Sequence, residues 1–199
     1  MPDDKRGREK QARDADRRQR ARAIAAELER MEETEPPVPT DALEDLEAEL
    51  DDVPFPATGA EVVGAVGDRT LASDEGLARV EELVPETEAE AFTVPADVVA
   101  RVQRPTIAAA MKRVVEANAA VSNDRLSDSR RKVYEKTLRE LKAIDADDDD
   151  EGVRVVSEWL VEQIREDETP PDSRAVRRKA ATFCRENGYE IRNDEWLGI

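Results

Sequence analysis

Arginines, not histidines or cysteines, are the residues here whose type and spacing suggest chemistry. Six cations and two acids fill residues 174–192. On a helix advancing about 100° per residue, Ala180, Phe183 and Cys184 fall within about 80° of Val176 and form an inner face. Arg174, Arg178 and Arg185 fall at about 160–200°, one stripe on the opposite side, with Arg177 beside it. A helix that buries one face and shows arginines on the other suits a phosphate backbone, whose charge Lys and Arg neutralise. The plainer alternative is a solvated face that neutralises neighbouring acids. This helix is the second of a pair, 153–165 and 173–187, as in a helix-turn-helix. The joining "EDETPPD" is long and acidic for that motif. A second cationic candidate is the N-terminal arm, where Arg13, Arg17 and Arg18 lie among nine Lys and Arg in 22 residues. It could meet nucleic acid, a ribosome surface or the chain's own acidic centre. Acids interleave with those cations and stacking aromatics are missing, which argues against a strong polyanion binder and favours a solvated tail.

The acids offer one spacing with a mechanism. Asp147, Asp149, Glu151, Gly152 and Glu158 fall at positions 1, 3, 5, 6 and 12 of a calcium loop, whose oxygens converge on a hard cation. Against it, Arg154 stands where an apolar residue normally pins such a loop. Val153, Val156 and Leu160 also fit a helix starting at the glycine, with the acids as an N-terminal cap. The single cysteine, Cys184, excludes an internal disulfide and lies on the inner face beside Phe183, so a buried thiol is expected. The chain has no histidine, which removes imidazole-based nucleophiles and metal sites. Its eight glycines form neither a dinucleotide fingerprint nor a phosphate loop. No catalytic residue and no cofactor is expected.

Charge is partitioned. The 199 residues hold 48 acids and 31 bases, a formal net charge of −17. Residues 1–22 carry nine bases and five acids, a net of +4. Residues 174–192 are also +4, whereas residues 23–173 hold 16 bases and 39 acids, a net of −23. Arginine outnumbers lysine 24 to 7. Acid excess with scarce lysine fits a salt-rich cytosol, where hydrated carboxylates keep a screened surface in solution. A halophilic archaeon is the source this implies, with a cytoplasmic location. No apolar run approaches the roughly 20 residues of a membrane span, and the charged first twenty residues lack a signal peptide's apolar core.

The elements that must position these residues are mostly helices. Acid-first pairs such as Glu9 and Arg13, or Asp14 and Arg18, favour a frayed helix in the arm, firmer around 24–31. The segment "EPPVP" reads as a stiff linker. Thr40 or Asp41 caps a helix whose apolar side is Leu43, Leu46 and Leu50. Thr58 caps a second helix, with Val62, Val63 and Val66, closed by Gly67. "RTLASDEGLARV" predicts a hairpin turning at Ser-Asp-Glu-Gly. Thr93 caps a helix with Pro95 in its first turn and Val98, Val99 and Val102 inward. Three longer helices follow at 3.6-residue spacing. Ile107, Ala110, Met111, Val114, Val115 and Val121 mark the first, and Val133, Tyr134, Leu138, Leu141 and Ile144 the second. Val153, Val156, Trp159, Leu160 and Ile164 mark the third. Ser173 caps the last helix, and "YEIRNDEWLGI" is a strand or a wrap. Five of the seven aromatics lie after residue 130, which places the main core there.

"FPATGAEVVGAVGDRTL" followed by "VEELVPETEAEAFTVPADVVARVQRP" resembles small haloarchaeal domains of unknown function over about residues 53–105. The shared pattern is a "(Y/F)PA(S/T)" start, a short helix, an "LP…F.SPADV" segment and a final helix. Here "FTVPADV" lacks the serine before the proline. The whole chain also resembles haloarchaeal conserved hypothetical proteins. The resemblance implies no activity. The expected fold is mainly α, in three parts. A charged arm and linker occupy 1–39, a small α-rich module with a β-hairpin 40–105, and a helical bundle 106–199. The expected function is a non-enzymatic, cytoplasmic binding protein that works through protein partners, away from membranes. The alternative is a nucleic-acid-associated or regulatory protein using the arginine face and the arm.

Overall fold

Eight helices and two short antiparallel ribbons make up the described part of the computed structural model, which covers residues 36–122, 125–144 and 150–189. The arm with Arg13, Arg17 and Arg18, the expected helix at 24–31, Asp147 and Asp149, and the tail from 190 lie outside the described residues. The fold is mainly helical, with a hairpin in its first half.

Helix α1 (Thr40–Leu50) buries Leu43, Leu46 and Leu50, three residues at helical spacing. Its N-cap is Pro39 with no side-chain cap, instead of Thr40 or Asp41. Upstream, Val38 does not behave as part of a free linker. It is buried, and its N–H donates to the Gln103 carbonyl at 3.4 Å. Strand β1 (Ala57–Thr58) leads into α2 (Gly59–Val66). Thr58 Oγ1 accepts from the Glu61 N–H, and the Glu61 carboxylate accepts from the Thr58 N–H at 2.8 Å. That reciprocal box satisfies two orphan donors of the helix start. Strands β2 (Thr70–Ser73) and β3 (Gly76–Arg79) pair with Leu71 opposite Ala78 and Ser73 opposite Gly76. Asp74 and Glu75 form the turn, and Gly76 takes φ +114°, which only glycine adopts freely.

The short helix α3 (Val80–Leu83) follows, and then β4 (Ala91–Phe92), which pairs with β1. Helix α4 (Pro95–Val102) buries Val98 and Val102. Thr93 does not cap it. Val94 is the N-cap, and the Asp97 carboxylate reaches back to the N–H groups of Thr93 and Val94.

The bundle consists of α5 (Pro105–Ser122), α6 (Asp128–Ile144), α7 (Glu151–Asp167) and α8 (Ser173–Glu186). Two apolar cores result. One gathers Leu43, Leu46, Leu50, Val62, Leu71, Leu83, Phe92, Val98 and Val102. The other gathers Met111, Val114, Tyr134, Leu138, Leu141, Val156, Leu160, Ile164, Val176 and Phe183. Helix α5 belongs to both. Ala108 faces the first core, while Ile107, Ala110, Met111 and Val114 face the second.

Candidate functional site

Helix α8 begins at a hard stop. Glu168, at φ +51°, ends α7, and Pro170 and Pro171 prevent its continuation. The N-cap of α8 is Asp172, not Ser173: its Oδ1 accepts from the Ala175 N–H at 2.7 Å. That bond, with help from the Arg174 N–H and the nearby Arg178 and Arg174 cations, holds the Asp172 carboxyl below its ordinary range. Just before it, the Pro171 carbonyl accepts from the Tyr134 hydroxyl of α6. At the far end, Gly188 turns at φ +74° and Tyr189 donates its N–H to the Cys184 carbonyl at 2.9 Å. The Tyr189 ring stacks on Phe183 with centroids 6.0 Å apart.

The inner face of Val176, Ala180, Phe183 and Cys184 is buried as the 100° wheel requires, the thiol included, and Ala181, at about 140° from Val176, is buried as well. Arg174, Arg178 and Arg185 are exposed. Arg177 and Lys179 are half-buried, and Arg177 donates through Nε to the Ser173 carbonyl at 3.1 Å. Among the described residues, no ion pair involves Arg174, Arg178 or Arg185. Eleven residues of helix spread this stripe over about 16 Å. It is a row of solvated guanidinium groups on a firmly anchored helix, able to meet carboxylates or phosphates through paired donors.

The calcium spacing does not converge in the part that is described. Glu151 and Glu158 both lie on α7, seven residues or about 10 Å of rise apart. Each pairs with Arg154, at 3.5 and 3.6 Å. Gly152 is a buried helical residue, not a loop turn. No group of three or more His, Cys, Asp or Glu among the described residues is arranged to hold a metal ion.

Two charge clusters had no counterpart in the sequence reading. In one, Glu90 Oε1 accepts from Arg101 at 2.7 Å and from Arg131 at 2.8 Å. In the other, Lys142 Nζ lies 2.8 Å from Asp150 and 3.1 Å from Glu75. Glu75 also accepts from the N–H and hydroxyl of Thr106, both at 2.9 Å. Burial pulls the Lys142 ammonium down, but the bonds to Asp150 and Glu75 outweigh it and hold the cation above its ordinary range. These pairs join residues 8 to 67 positions apart, so no local spacing announces them. Both clusters tie the first core to the bundle. An open depression of about 430 Å³ beside α2 is lined by Glu49, Val63, Gly67, Arg69 and Glu81. There Arg69 is already held by Glu49 at 3.0 Å and Asp45 at 3.8 Å.

The segment that builds the first core is similar to a known family. Residues 39–114 match the model of DUF5789, a family of unknown function. The match runs from the residue before α1 into the middle of α5, so it contains the 53–105 segment and extends it on both sides. Packing explains the extension, because Leu43, Leu46 and Leu50 of α1 and Ala108 of α5 complete the same core. The arginine face of α8 lies outside the match. No curated protein and no solved structure matches the chain. Among the described residues, no helix is long and apolar enough to cross a membrane.

Proposed function

We infer that this chain is a non-enzymatic, cytoplasmic binding protein of a halophilic archaeon, and that its contact surface is the outer face of α8. The observation that carries this is the exposed stripe of Arg174, Arg178 and Arg185, which enters no ion pair among the described residues, on a helix whose other face is packed. In a chain with 48 acids, arginines elsewhere pair with carboxylates, as Arg69, Arg79, Arg101 and Arg154 do. An exposed stripe of this kind is suited to a carboxylate-bearing protein partner, with Arg177 at its edge. The buried thiol and the lack of histidine support a role without covalent chemistry.

Copurification of the tagged full chain from a lysate in molar KCl tests this. The native chain should retain a partner that an Arg178→Glu, Arg185→Glu chain loses. Equal recovery from both chains, or the bare monomer from the native one, refutes it. A second reading, nucleic acid, is favoured by the length of the stripe, which spans several phosphates. If three arginines contact duplex DNA, log K should fall with log salt at a slope of roughly −3. A mobility shift that Arg178→Glu leaves unchanged dismisses that reading.

A further inference from the structure

Glu90 and Arg101 are the two charged side chains that the described residues bury, at 2% and 8% exposed. Both lie within the DUF5789 match. Arg131, on α6, lies outside it. The two guanidinium groups converge on one atom, Glu90 Oε1, at 2.7 and 2.8 Å. Glu135, one turn along α6, reaches the same Arg101 nitrogen at 3.7 Å. Arg101 also lies over the Phe92 ring, 6.0 Å from its centroid. Meanwhile Glu90 Oε2 and Arg101 Nη1 are buried with no partner.

Arginine and carboxylate commonly meet as a fork of two parallel bonds. Here both cations crowd one oxygen, while the complementary oxygen and nitrogen are idle. A half-used buried network is costly compared with a complete one. The same side chains have a complete arrangement within reach. If Arg131 withdraws, Glu90 and Arg101 can close into a fork that uses both idle atoms. That fork needs nothing outside the DUF5789 segment.

We propose that Glu90 is a two-position charge latch. Shared between Arg101 and Arg131, it holds α6 on the DUF5789 segment; forked with Arg101 alone, it lets α6 go. Helix α6 carries the latch further. Tyr134, one turn beyond Arg131, holds the Pro171 carbonyl next to the N-cap of α8. Release of α6 therefore loosens the start of the arginine face. The latch itself is independent of what α8 binds, and only this consequence rests on the function proposed above.

Hydrogen exchange on the full chain tests the latch. In Arg131→Met, Glu90 keeps Arg101 as its counter-ion. Amides of α4 over Val98–Val102 should keep their protection, while those of α6 over Lys132–Leu141 should exchange about tenfold faster, the loss expected for one charge-assisted bond. Arg131→Lys should move the α6 rate back toward native, because one charged donor at Oε1 is what the latch requires. An unchanged α6 overturns the proposal, as does an equal change in α4 and α6. So does an Arg131→Lys chain as fast as Arg131→Met. An Arg131→Met chain that does not fold also overturns it, because Arg101 alone would then be unable to carry Glu90.

Discussion

Alkaline titration of Tyr134 is the sharpest test of how the bundle is held. Tyr134 has no exposed surface, and its hydroxyl donates to the Pro171 carbonyl. Burial pushes its phenol from 10.0 up to about 12; Arg130 pulls it down and Asp172 adds to the rise. The unfolded chain therefore loses this proton near pH 10, and the folded chain holds it two units longer. Stability from this group is fully present below pH 10 and is lost as pH rises toward 12. The slope is about 1.4 kcal/mol per unit, or about 3 kcal/mol across the window. Tyr134→Phe removes the ionisation. It costs about 1 kcal/mol at neutral pH, because the Pro171 carbonyl loses its donor. All other ionisable groups are common to both chains, so the difference between their urea-unfolding curves isolates Tyr134. The chain has two tyrosines, so in Tyr189→Phe the tyrosinate absorbance reports Tyr134 alone. A midpoint near 12 is expected. A midpoint near 10 in the folded chain, or parallel stability curves for native and Tyr134→Phe between pH 10 and 12, refutes the reasoning.

Three further outcomes can be checked with the same material. A Cβ on Gly59 would sit 2.0 Å from the Pro85 carbonyl oxygen, so Gly59→Ala should lose about 1–3 kcal/mol by overpacking. Gly64, in the same helix with open space around it, is the control: Gly64→Ala should gain up to about 1 kcal/mol in thermal or urea unfolding. Asp172 is held below the ordinary carboxylate range, so its stabilisation is present above the unfolded pKa and disappears as pH falls through the folded one. An Asp172→Ala chain should be less stable at neutral pH and show a flatter acid limb in a pH series of melts. Excess Ca²⁺ at fixed ionic strength should leave the melting temperature where it was, since Glu151 and Glu158 are separated along α7 and paired to Arg154; a rise would contradict this.

Features that depend on near neighbours in the chain could be read from the sequence. The Thr58 box spans three residues, the hairpin turn four, and the Val176, Ala180, Phe183 and Cys184 face is a matter of period. Caps were less secure, because several acceptors compete at one helix start. At α4 the longer reach of Asp97 replaced Thr93, and at α8 Asp172 displaced Ser173 by one position. The proline-rich stretch before α1 reads as linker by composition alone. Yet Val38 within it is buried, which only the tertiary fold decides.

How the parts are joined is not legible in local pattern, and the reason is physical. A change of periodicity near Pro105 looks like a boundary between two modules, but α5 begins there and serves both cores, one on each side. A helix with two apolar faces can unite two cores only if its remaining surroundings select one rotation. Lys112 and Glu116 of α5 supply part of that selection from the first-core side. Lys112 Nζ donates to the Val84 carbonyl at 3.1 Å, and Glu116 accepts from the Glu86 N–H at 2.9 Å. The Glu75–Lys142–Asp150 group and the Glu90–Arg131 pair then fix α6 and α7 against the same frame. Apolar contacts set how much surface is covered, whereas these directional bonds set the register in which it is covered. The bonds at Glu90 leave an oxygen and a nitrogen unused, so that junction has a second state available, unlike the fully bonded one at Lys142. Movement between the DUF5789 segment and the bundle should therefore start at Arg131 rather than at Lys142.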